Sequence, residues 1–260
     1  MKKIDESGNV AHYAPLCHLA NILSDQKIKL SFIKNLSDPR ESSLGWLETV
    51  GYGGSTTDWK QAERIKNDIG SQLKIFCTAD QHERSGSADK IEASIYGRPR
   101  MWSQYADNSK GFCLILDKEE LTKEMKRVVK KPEHLLTGRV DYYDWLHLVG
   151  GGSSIEYGDR IDLSKLDVFN IIDKNRMLKS IFFKKSIDWV GEQERRWLVF
   201  HEEKNEIFIS IKSSIKAVVL GSEFPINQIS QAKMYCKDLG CPCFMLGYHH
   251  PEYNQIVIAK

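Results

Sequence analysis

Runs and alternations of apolar residues divide the chain into short segments with the spacing of strands and helices. Alternating polarity and short apolar runs predict strands over residues 28–33, 73–78, 111–116, 140–143, 195–201, 207–211, 215–220, 243–246 and 256–258. Apolar positions three or four apart predict helices over residues 58–69, 101–105, 117–131, 169–185 and 225–239. The regular strand–helix alternation of a doubly wound sheet is missing. We therefore expect one α+β domain over residues 1–260, with a mixed or antiparallel sheet and flanking helices.

Polar and glycine-rich stretches predict the connections between these elements. Pro39 biases Asp38 toward an extended backbone, so residues 35–41 are expected to form a turn. Further loops are expected at residues 51–55, 80–87 and 150–154. The glycine runs among them match neither the phosphate-binding loop of nucleotide hydrolases nor the dinucleotide fingerprint.

Composition narrows the class of protein without indicating a function. The 260 residues carry 37 Lys and Arg against 35 Asp and Glu, and 41% are hydrophobic, which excludes disorder and a disulfide mini-scaffold. A net charge of +2 argues against a broad nucleic-acid surface. No apolar stretch approaches the roughly 20 residues that a bilayer span needs. Asp5 and Glu6 come before any apolar segment, which is not the pattern of a secretory signal. Together with the six cysteines, this favours a cytoplasmic protein with reduced thiols.

The sharpest local signal is the pair Glu192 and Glu194, followed by Arg196. In an extended segment these three side chains lie on one face, with Arg195 on the other. Repulsion raises the pKa of one carboxyl, while the arginine lowers that of the other. Such a pair supplies one acid/base group and one fixed anion. The alternative is a solvated strand edge whose charges discourage aggregation.

Aromatic and imidazole side chains are the other candidates. Trp102 and Tyr105 share a helix face, where they form either a surface for a nicotinamide or adenine ring or a core aromatic pair. His12, beside Tyr13, either binds a ribose hydroxyl or is an ordinary polar residue. We expect no metal site, because the spacing of Cys236, Cys241 and Cys243 is not that of structural zinc sites.

Four short motifs together resemble a known family. They are Asp38-Pro39 with Glu41; Trp102, Tyr105 and Ala106 with Gly111 and Cys113; Trp189, Glu192, Glu194 and Arg196; and Val218 to Gly221. In this order they are similar to the bacterial family known as domain of unknown function 2971. That family in turn resembles ADP-ribosyltransferases of the toxin type, including defence toxins that modify nucleic acid. The resemblance implies a split sheet, NAD as a substrate, and no metal.

The resemblance also implies roles for individual residues. Glu194 would bind the ribose 2′-hydroxyl of NAD and stabilise the oxocarbenium-like transition state, while Glu192 would activate the acceptor. Arg196 would support both carboxylates. The residues implied to bind NAD are His12, Tyr13, Arg40, Trp102, Tyr105 and Arg196, with the Tyr105 ring against nicotinamide.

The acceptor and the biological role stay open at this point. Residues 98–100 and 184–185 are expected to be basic surface clusters that meet a phosphate backbone, while a protein side chain is a comparable acceptor. The resemblance favours a toxin or phage-defence effector with an antitoxin or operon partner and no membrane contact. Two alternatives are a non-catalytic ligand- or partner-binding module of a defence system and an NAD glycohydrolase.

Overall fold

The computed structural model describes residues 4, 7–42, 63–64, 67–81, 94–144, 182–203, 205–249 and 253–257. Its strands are β1 (Asn9–Ala14), β2 (Lys27–Phe32), β3 (Leu73–Ala79), β4 (Phe112–Asp117), β5 (Leu135–Arg139), β6 (Asp141–Tyr143), β7 (Lys184–Ser186), β8 (Glu194–Phe200), β9 (Ile207–Ser210), β10 (Ile215–Leu220), β11 (Cys243–His249) and β12 (Tyr253–Val257). Its helices are α1 (Leu19–Asp25), α2 (Pro39–Ser42), α3 (Pro99–Tyr105), α4 (Lys118–Arg127) and α5 (Ile226–Asp238). Short 3-10 helices are Leu16–His18, Ile33–Asn35, Pro132–His134 and Ile187–Glu192.

The strands form one large, mostly antiparallel sheet of ten strands and a separate two-stranded ribbon. The order along the large sheet is β12-β11-β10-β4-β1-β3-β2-β9, and β8 pairs with both β3 and β5. The β10–β11 pair is parallel, as is the ribbon of β6 and β7. This is the mixed α+β fold that the sequence predicts.

The sheet divides at β3, and the division creates the cleft described below. One edge of β3 pairs with β8 along its whole length, from Leu73 to Ala79. Its other edge is shared, because β2 pairs at Lys74 and Ile75 whereas β1 pairs at Ala79. Between these two contacts β1 and β2 separate, and residues 76–78 of β3 border the gap.

Helices cover both faces of the sheet, so several strands are apolar on both faces. One core cluster includes Leu23 of α1, Met125 of α4 and Cys236 of α5. The opposite cluster contains Trp102 of α3 and Ile115 of β4. The sheet is thereby buried between α1, α4 and α5 on one side and α3 on the other.

Several predicted elements are confirmed within a few residues: the strands at β2, β3, β4, β8, β9, β10, β11 and β12, and the helices α3, α4 and α5. Residues 63–64 and 67–72 are helical, as the spacing predicts. The Asp117 side chain caps α4 by accepting hydrogen bonds from the backbone N–H groups of Glu119 and Glu120, both at 3.0 Å. Among the residues that the structure describes, no helix is long and apolar enough to cross a membrane.

Other predictions are wrong or fall outside the described residues. The predicted helix 169–185 is wrong at its end, because Lys184–Ser186 is a strand held by backbone pairing with β6. Residues 169–181 and both glycine-rich loops lie outside the described residues. The segment before Glu194 is not extended: Ile187–Glu192 is a 3-10 helix, and Gln193 has a left-handed backbone with φ of 44°. Strand β1 was not predicted, although five of its six residues are buried.

A left-handed turn and the end of β1 pack closely against two glycines of the motif set. Asp107, Asn108 and Ser109 have φ angles of 48°, 52° and 69°. A side chain on Gly221 would overlap the Ser109 carbonyl, and one on Gly111 would overlap the Ala14 carbonyl. The Asp107 carboxylate accepts from the Leu16 backbone N–H at 2.8 Å. These glycines therefore allow close backbone contact that fixes the end of β1 beside the cleft.

Replacing Gly221 with alanine should destabilise the protein because the Ser109 backbone has to move. We expect a loss of about 1–3 kcal/mol in the free energy of unfolding, the usual cost of overpacking a tight contact. Urea unfolding measures it. Gly191→Ala is the control, since its nearest neighbours are Arg100 side-chain atoms at 3.8 and 3.9 Å. Equal stability of Gly221→Ala and Gly191→Ala would contradict the packing argument.

Candidate functional site

A cavity of about 800 Å³ opens where β1 and β2 separate. Its volume lies within the range of ligand sites. The floor is the edge of β3 at Phe76 and Cys77 that neither β1 nor β2 pairs with, and these two strands form the walls. Seven of its lining residues carry candidate chemistry: His12, Tyr13, Glu41, Tyr105, Lys185, Glu192 and Glu194.

The Arg196 guanidinium organises the inner end of this cavity. It donates to both oxygens of Glu194, from Nε at 2.7 Å and from Nη2 at 2.8 Å. It also donates to both oxygens of Glu41, with Nη2 at 3.0 Å from Oε2, and Nη1 donates to the Phe182 carbonyl at 2.8 Å. These contacts use all five N–H groups of the side chain, which is 1% exposed. Arg196 therefore fixes two carboxylates in one plane of hydrogen bonds.

A second cation, Lys185, holds the other carboxylate. Its Nζ lies 2.6 Å from Glu192 Oε2 and 3.5 Å from Glu194 Oε2. The other oxygen of Glu192 accepts from the Tyr105 hydroxyl at 2.6 Å. Burial and the Glu192 charge raise the pKa of Tyr105, so its hydroxyl remains a donor at neutral pH. Glu192 is thus fixed at both oxygens.

The surroundings of Glu194 and Glu41 shift the pKa values of these two carboxylates in opposite directions. Burial alone would raise the pKa of Glu194, but the charge and hydrogen bonds of Arg196, helped by Lys185, lower it to about 2. Burial raises the pKa of Glu41, an effect that Arg196 only partly opposes. The pKa values of Glu41 and Glu194 are thus shifted in opposite directions, although Arg196 binds both carboxylates.

His12 faces the gap from β1. Its Nδ1 donates to the Cys77 carbonyl at 3.0 Å, which leaves Nε2 as the acceptor nitrogen of a neutral ring. Burial lowers the pKa of His12 and favours this neutral form. The imidazole is therefore prepared to accept a hydrogen bond from a ligand hydroxyl.

A buried arginine supports the turn that carries Glu192. Arg98 donates to the Glu192 carbonyl, the Asp80 carbonyl and the Gln193 side-chain oxygen, each at 2.7 Å. The Arg195 side chain lies on the opposite face of β8, away from the cavity, and pairs with Asp80 at 2.7 Å. These contacts hold Gln193 in its left-handed conformation and so fix the turn from which the Glu192 side chain reaches the cavity.

The two expected basic surface clusters are corrected by these contacts. Arg98 and Lys185 are 6% and 5% exposed and bind groups inside the protein. Lys184 lies over the Tyr143 ring at 5.1 Å, and Arg100 donates to the Asp188 carbonyl. Each cluster therefore presents one cation rather than two outside the protein interior, the exposed Arg100 or the half-buried Lys184.

Not every residue implied to bind NAD lines the cavity. Trp102 is fully buried, donates to the Tyr96 carbonyl at 2.7 Å and packs edge-on against Tyr13, so its ring is a core residue rather than a ligand surface. Tyr13 lines the cavity but directs its hydroxyl to the Ile95 carbonyl. The backbone of Arg40 lies in α2, and its side chain lies outside the described part of the chain.

Glu41 and Lys185 were not predicted as site residues. For Glu41 the sequence offered one signal, because the Asp38-Pro39 turn with Glu41 was already part of the motif set.

The three cysteines of the C-terminal region, Cys236, Cys241 and Cys243, are free thiols. Within the described residues no group of three or more His, Cys, Asp or Glu side chains is arranged to hold a metal ion.

The fold and this cavity define a mixed α+β protein with a cleft lined by carboxylates. Residues 101–197 match the family model described as "Protein of unknown function (DUF2971)", which confirms the predicted resemblance to that family over this segment. The matched segment contains Tyr105, Lys185, Glu192, Glu194 and Arg196, whereas His12 and Glu41 lie before it. No curated protein and no solved structure matches the chain.

Replacing Arg196 with methionine should destabilise the fold strongly, because Glu41 and Glu194 would lose their common cation inside the protein. Removing one partner of a buried ion pair costs about 3–5 kcal/mol. Urea unfolding at neutral pH measures the change. Arg195→Met is the matched control on the same strand, because Asp80 retains Arg139 as a partner. An Arg196→Met cost no larger than that of Arg195→Met would contradict this role.

The contribution of Glu194 to stability should depend on pH in one direction. Its folded pKa of about 2 lies below the ordinary value of 4.5, so the unfolded chain binds more protons between these limits. The stabilisation, on the order of 3 kcal/mol, is present above pH 4.5 and is lost as the pH falls toward 2. We expect the stability gap between wild type and Glu194→Gln to narrow over this window in urea titrations. A gap that stays constant would show that Glu194 has no depressed pKa.

Proposed function

We propose that the protein is an NAD-dependent mono-ADP-ribosyltransferase of the toxin type. The observation that supports this proposal most directly is the meeting of four residues at one cleft. His12, Tyr105 and the pair Glu192 and Glu194 come from three distant parts of the sequence, yet all line the cavity between β1 and β2. The division of the sheet there supports the split, ADP-ribosyltransferase-like fold that the resemblance implies.

The chemistry of the cleft suits the cleavage of a ribose–nicotinamide bond. Departure of nicotinamide builds positive charge on the ribose, and a preorganised carboxylate stabilises that charge. Glu194 meets the requirement because Arg196 holds it ionised and fixed in direction. His12 supplies a neutral acceptor for a ribose hydroxyl. The Tyr105 side chain borders the same space.

The biological setting of the proposal is a toxin or phage-defence effector that acts in the cytoplasm. NAD is the donor and needs no resident cofactor. The acceptor is a nucleic acid or a protein, and an antitoxin or operon partner would keep the activity in check. Because Arg98 and Lys185 bind groups inside the protein, each predicted basic cluster keeps only one cation near the surface, and a nucleic-acid acceptor would bind at the mouth of the cleft rather than along a surface patch.

Glu194→Gln tests this activity. The exchange removes the charge that stabilises the transition state, so we expect the rate of nicotinamide release from NAD to fall by about 100-fold or more. Chromatography of the released nicotinamide measures the rate without knowledge of the acceptor. The control is Glu120→Gln, a half-buried carboxylate on α4 that lies away from the cavity lining and pairs with Lys123.

Transfer itself is followed with NAD labelled in the adenylate group, mixed separately with cellular protein and nucleic acid. Label in one macromolecular fraction, lost in Glu194→Gln, is the expected result. Nicotinamide release with label only in free ADP-ribose would indicate an NAD glycohydrolase. Equal labelling by wild type and Glu194→Gln would refute the assignment.

A further inference from the structure

Three cysteines lie together where helix α5 ends and strand β11 begins. Cys236 is in the last turn of α5, Cys241 follows the helix, and Cys243 is the first residue of β11. All three are free thiols. Cys236 is 1% exposed and belongs to the core cluster on the α1, α4 and α5 side of the sheet, and the other two pack against that cluster. None of the three lines the cleft, so the proposed transfer of ADP-ribose gives them no role.

The end of α5 is a Schellman motif, which determines where two of these side chains lie. The Cys241 N–H donates to the Cys236 carbonyl at 2.9 Å, and the Gly240 N–H donates to the Lys237 carbonyl at 3.0 Å. Gly240 has the left-handed backbone of this motif, with φ of 68°. In a Schellman motif the side chains at the two ends of the longer-range hydrogen bond frequently contact each other. Here both of those side chains are cysteines.

The backbone distance between Cys236 and Cys241 suits a disulfide. Their Cα atoms are connected through one carbonyl group, one 2.9 Å hydrogen bond and one N–Cα bond, so standard bond lengths keep them less than about 7 Å apart. The Cα atoms of disulfides are usually separated by roughly 4.4–6.8 Å. The helix end therefore already holds the two residues within bridging range.

The contacts of the thiols give the three sulfur atoms different roles. The Cys236 thiol forms hydrogen bonds with the thiols of Cys241 and Cys243, and these bonds raise the pKa of Cys236 and keep it protonated as the donor. The same hydrogen bonds lower the pKa of Cys241 and of Cys243. Both acceptors are half-buried, so a small oxidant can reach them from solvent, whereas Cys236 is enclosed. Since the thiolate is the reactive form, the outer cysteines react first.

We propose that Cys236 and Cys241 form a reversible redox site, in which a peroxide converts the two thiols to a disulfide and a cellular dithiol restores them. Transient disulfides of this kind are the ones found in reducing compartments. The bond would join the end of α5 to the segment that leads into β11, which pairs in parallel with β10. The inference is independent of the proposed enzymatic activity, because it concerns residues outside the cleft.

The oxidation balances in two steps. The Cys241 thiolate attacks one oxygen of the peroxide, the O–O bond breaks, and the displaced hydroxide takes a proton from solvent and leaves as water. Cys241 is then a sulfenic acid. The Cys236 sulfur attacks the Cys241 sulfur, the S–O bond breaks, and the proton of the Cys236 thiol leaves with the hydroxide as water. The two thiols have lost two electrons, and the peroxide has been reduced to water.

Peptide mapping of the intact chain tests the proposal, because trypsin cleaves after Lys237 and separates Cys236 from the other two cysteines. Wild-type protein is treated with equimolar hydrogen peroxide, alkylated with iodoacetamide under denaturing conditions and digested without reductant. We expect a cross-link between peptides 234–237 and 238–260 that dithiothreitol reverses. Alkylated Cys236 with no cross-linked peptide, or a Cys241 that carries two or three oxygens instead of the bond, would overturn the proposal.

Single serine variants identify the partner of Cys236. Cys241→Ser should lose most of the cross-linked peptide, whereas Cys243→Ser should retain it. Cys17→Ser is the control, because Cys17 is an exposed thiol in another part of the chain and its removal should leave the yield unchanged. An undiminished yield in Cys241→Ser, or its loss in Cys243→Ser, would contradict the pairing. The wild-type digest decides whether the bond forms even if a variant fails to fold.

Oxidation of the unfolded chain shows whether the folded helix end is responsible. The same peroxide treatment is carried out in urea, where the Schellman motif is lost and the two cysteines are connected only by five peptide bonds of flexible chain. We expect the cross-link between Cys236 and Cys241 to form more slowly in urea than in the folded protein. An equal or faster rate in urea would show that the fold does not prepare this bond, and would overturn the inference.

Discussion

The hydrogen-bonded fork of Arg196 is the interaction on which the candidate site depends. A guanidinium that is 1% exposed would be costly to bury without compensation, and here all its N–H groups have acceptors. The same fork joins β8 to α2 across 155 residues of sequence. It holds Glu194 ionised in a buried place and brings Glu41 beside it. Under the proposed function, the carboxylate that would stabilise the ribose cation is therefore held in place by this single side chain.

The division of the sheet provides the space in which those carboxylates act. β3 pairs with β8 along one edge and divides its other edge between β1 and β2, so its middle residues face a cavity rather than another strand. The left-handed turn at residues 107–109 packs against Gly221 and caps the segment after β1 through Asp107. His12 therefore faces the gap from a strand whose end is fixed, and its imidazole is held by the Cys77 carbonyl.

Most strands and helices can be predicted from local sequence, but the full set of residues at the candidate site cannot. The apolar runs predict most strands, and the Asp117 cap and its flanking acids predict α4, because these signals act over a few residues. Glu192, Glu194 and Arg196 are close in sequence, so their meeting could be anticipated even though the backbone at Gln193 is left-handed. Glu41 and Lys185 reach the site only through tertiary contacts, which no local pattern specifies.

The wrong expectations for individual side chains share one physical cause. From the sequence alone, Arg98 and Lys185 look like surface cations, and Trp102 looks like a ring on which a ligand could stack. Only their burial and hydrogen-bond partners in the structure show that they are internal. Charge alone does not show whether a cation faces solvent or compensates a buried carboxylate. In this protein the basic residues near the cleft mainly compensate internal groups, which is consistent with the near-neutral net charge of +2.

A crystal structure of the wild-type protein with a non-hydrolysable carbocyclic analogue of NAD would test the central claim most directly. We expect the analogue to lie in the gap between β1 and β2, with the 2′-hydroxyl of its nicotinamide-side ring within hydrogen-bond distance of Glu194 and the nicotinamide ring beside Tyr105. An analogue bound elsewhere on the protein, or a cleft that stays empty at saturating concentration, would contradict the account.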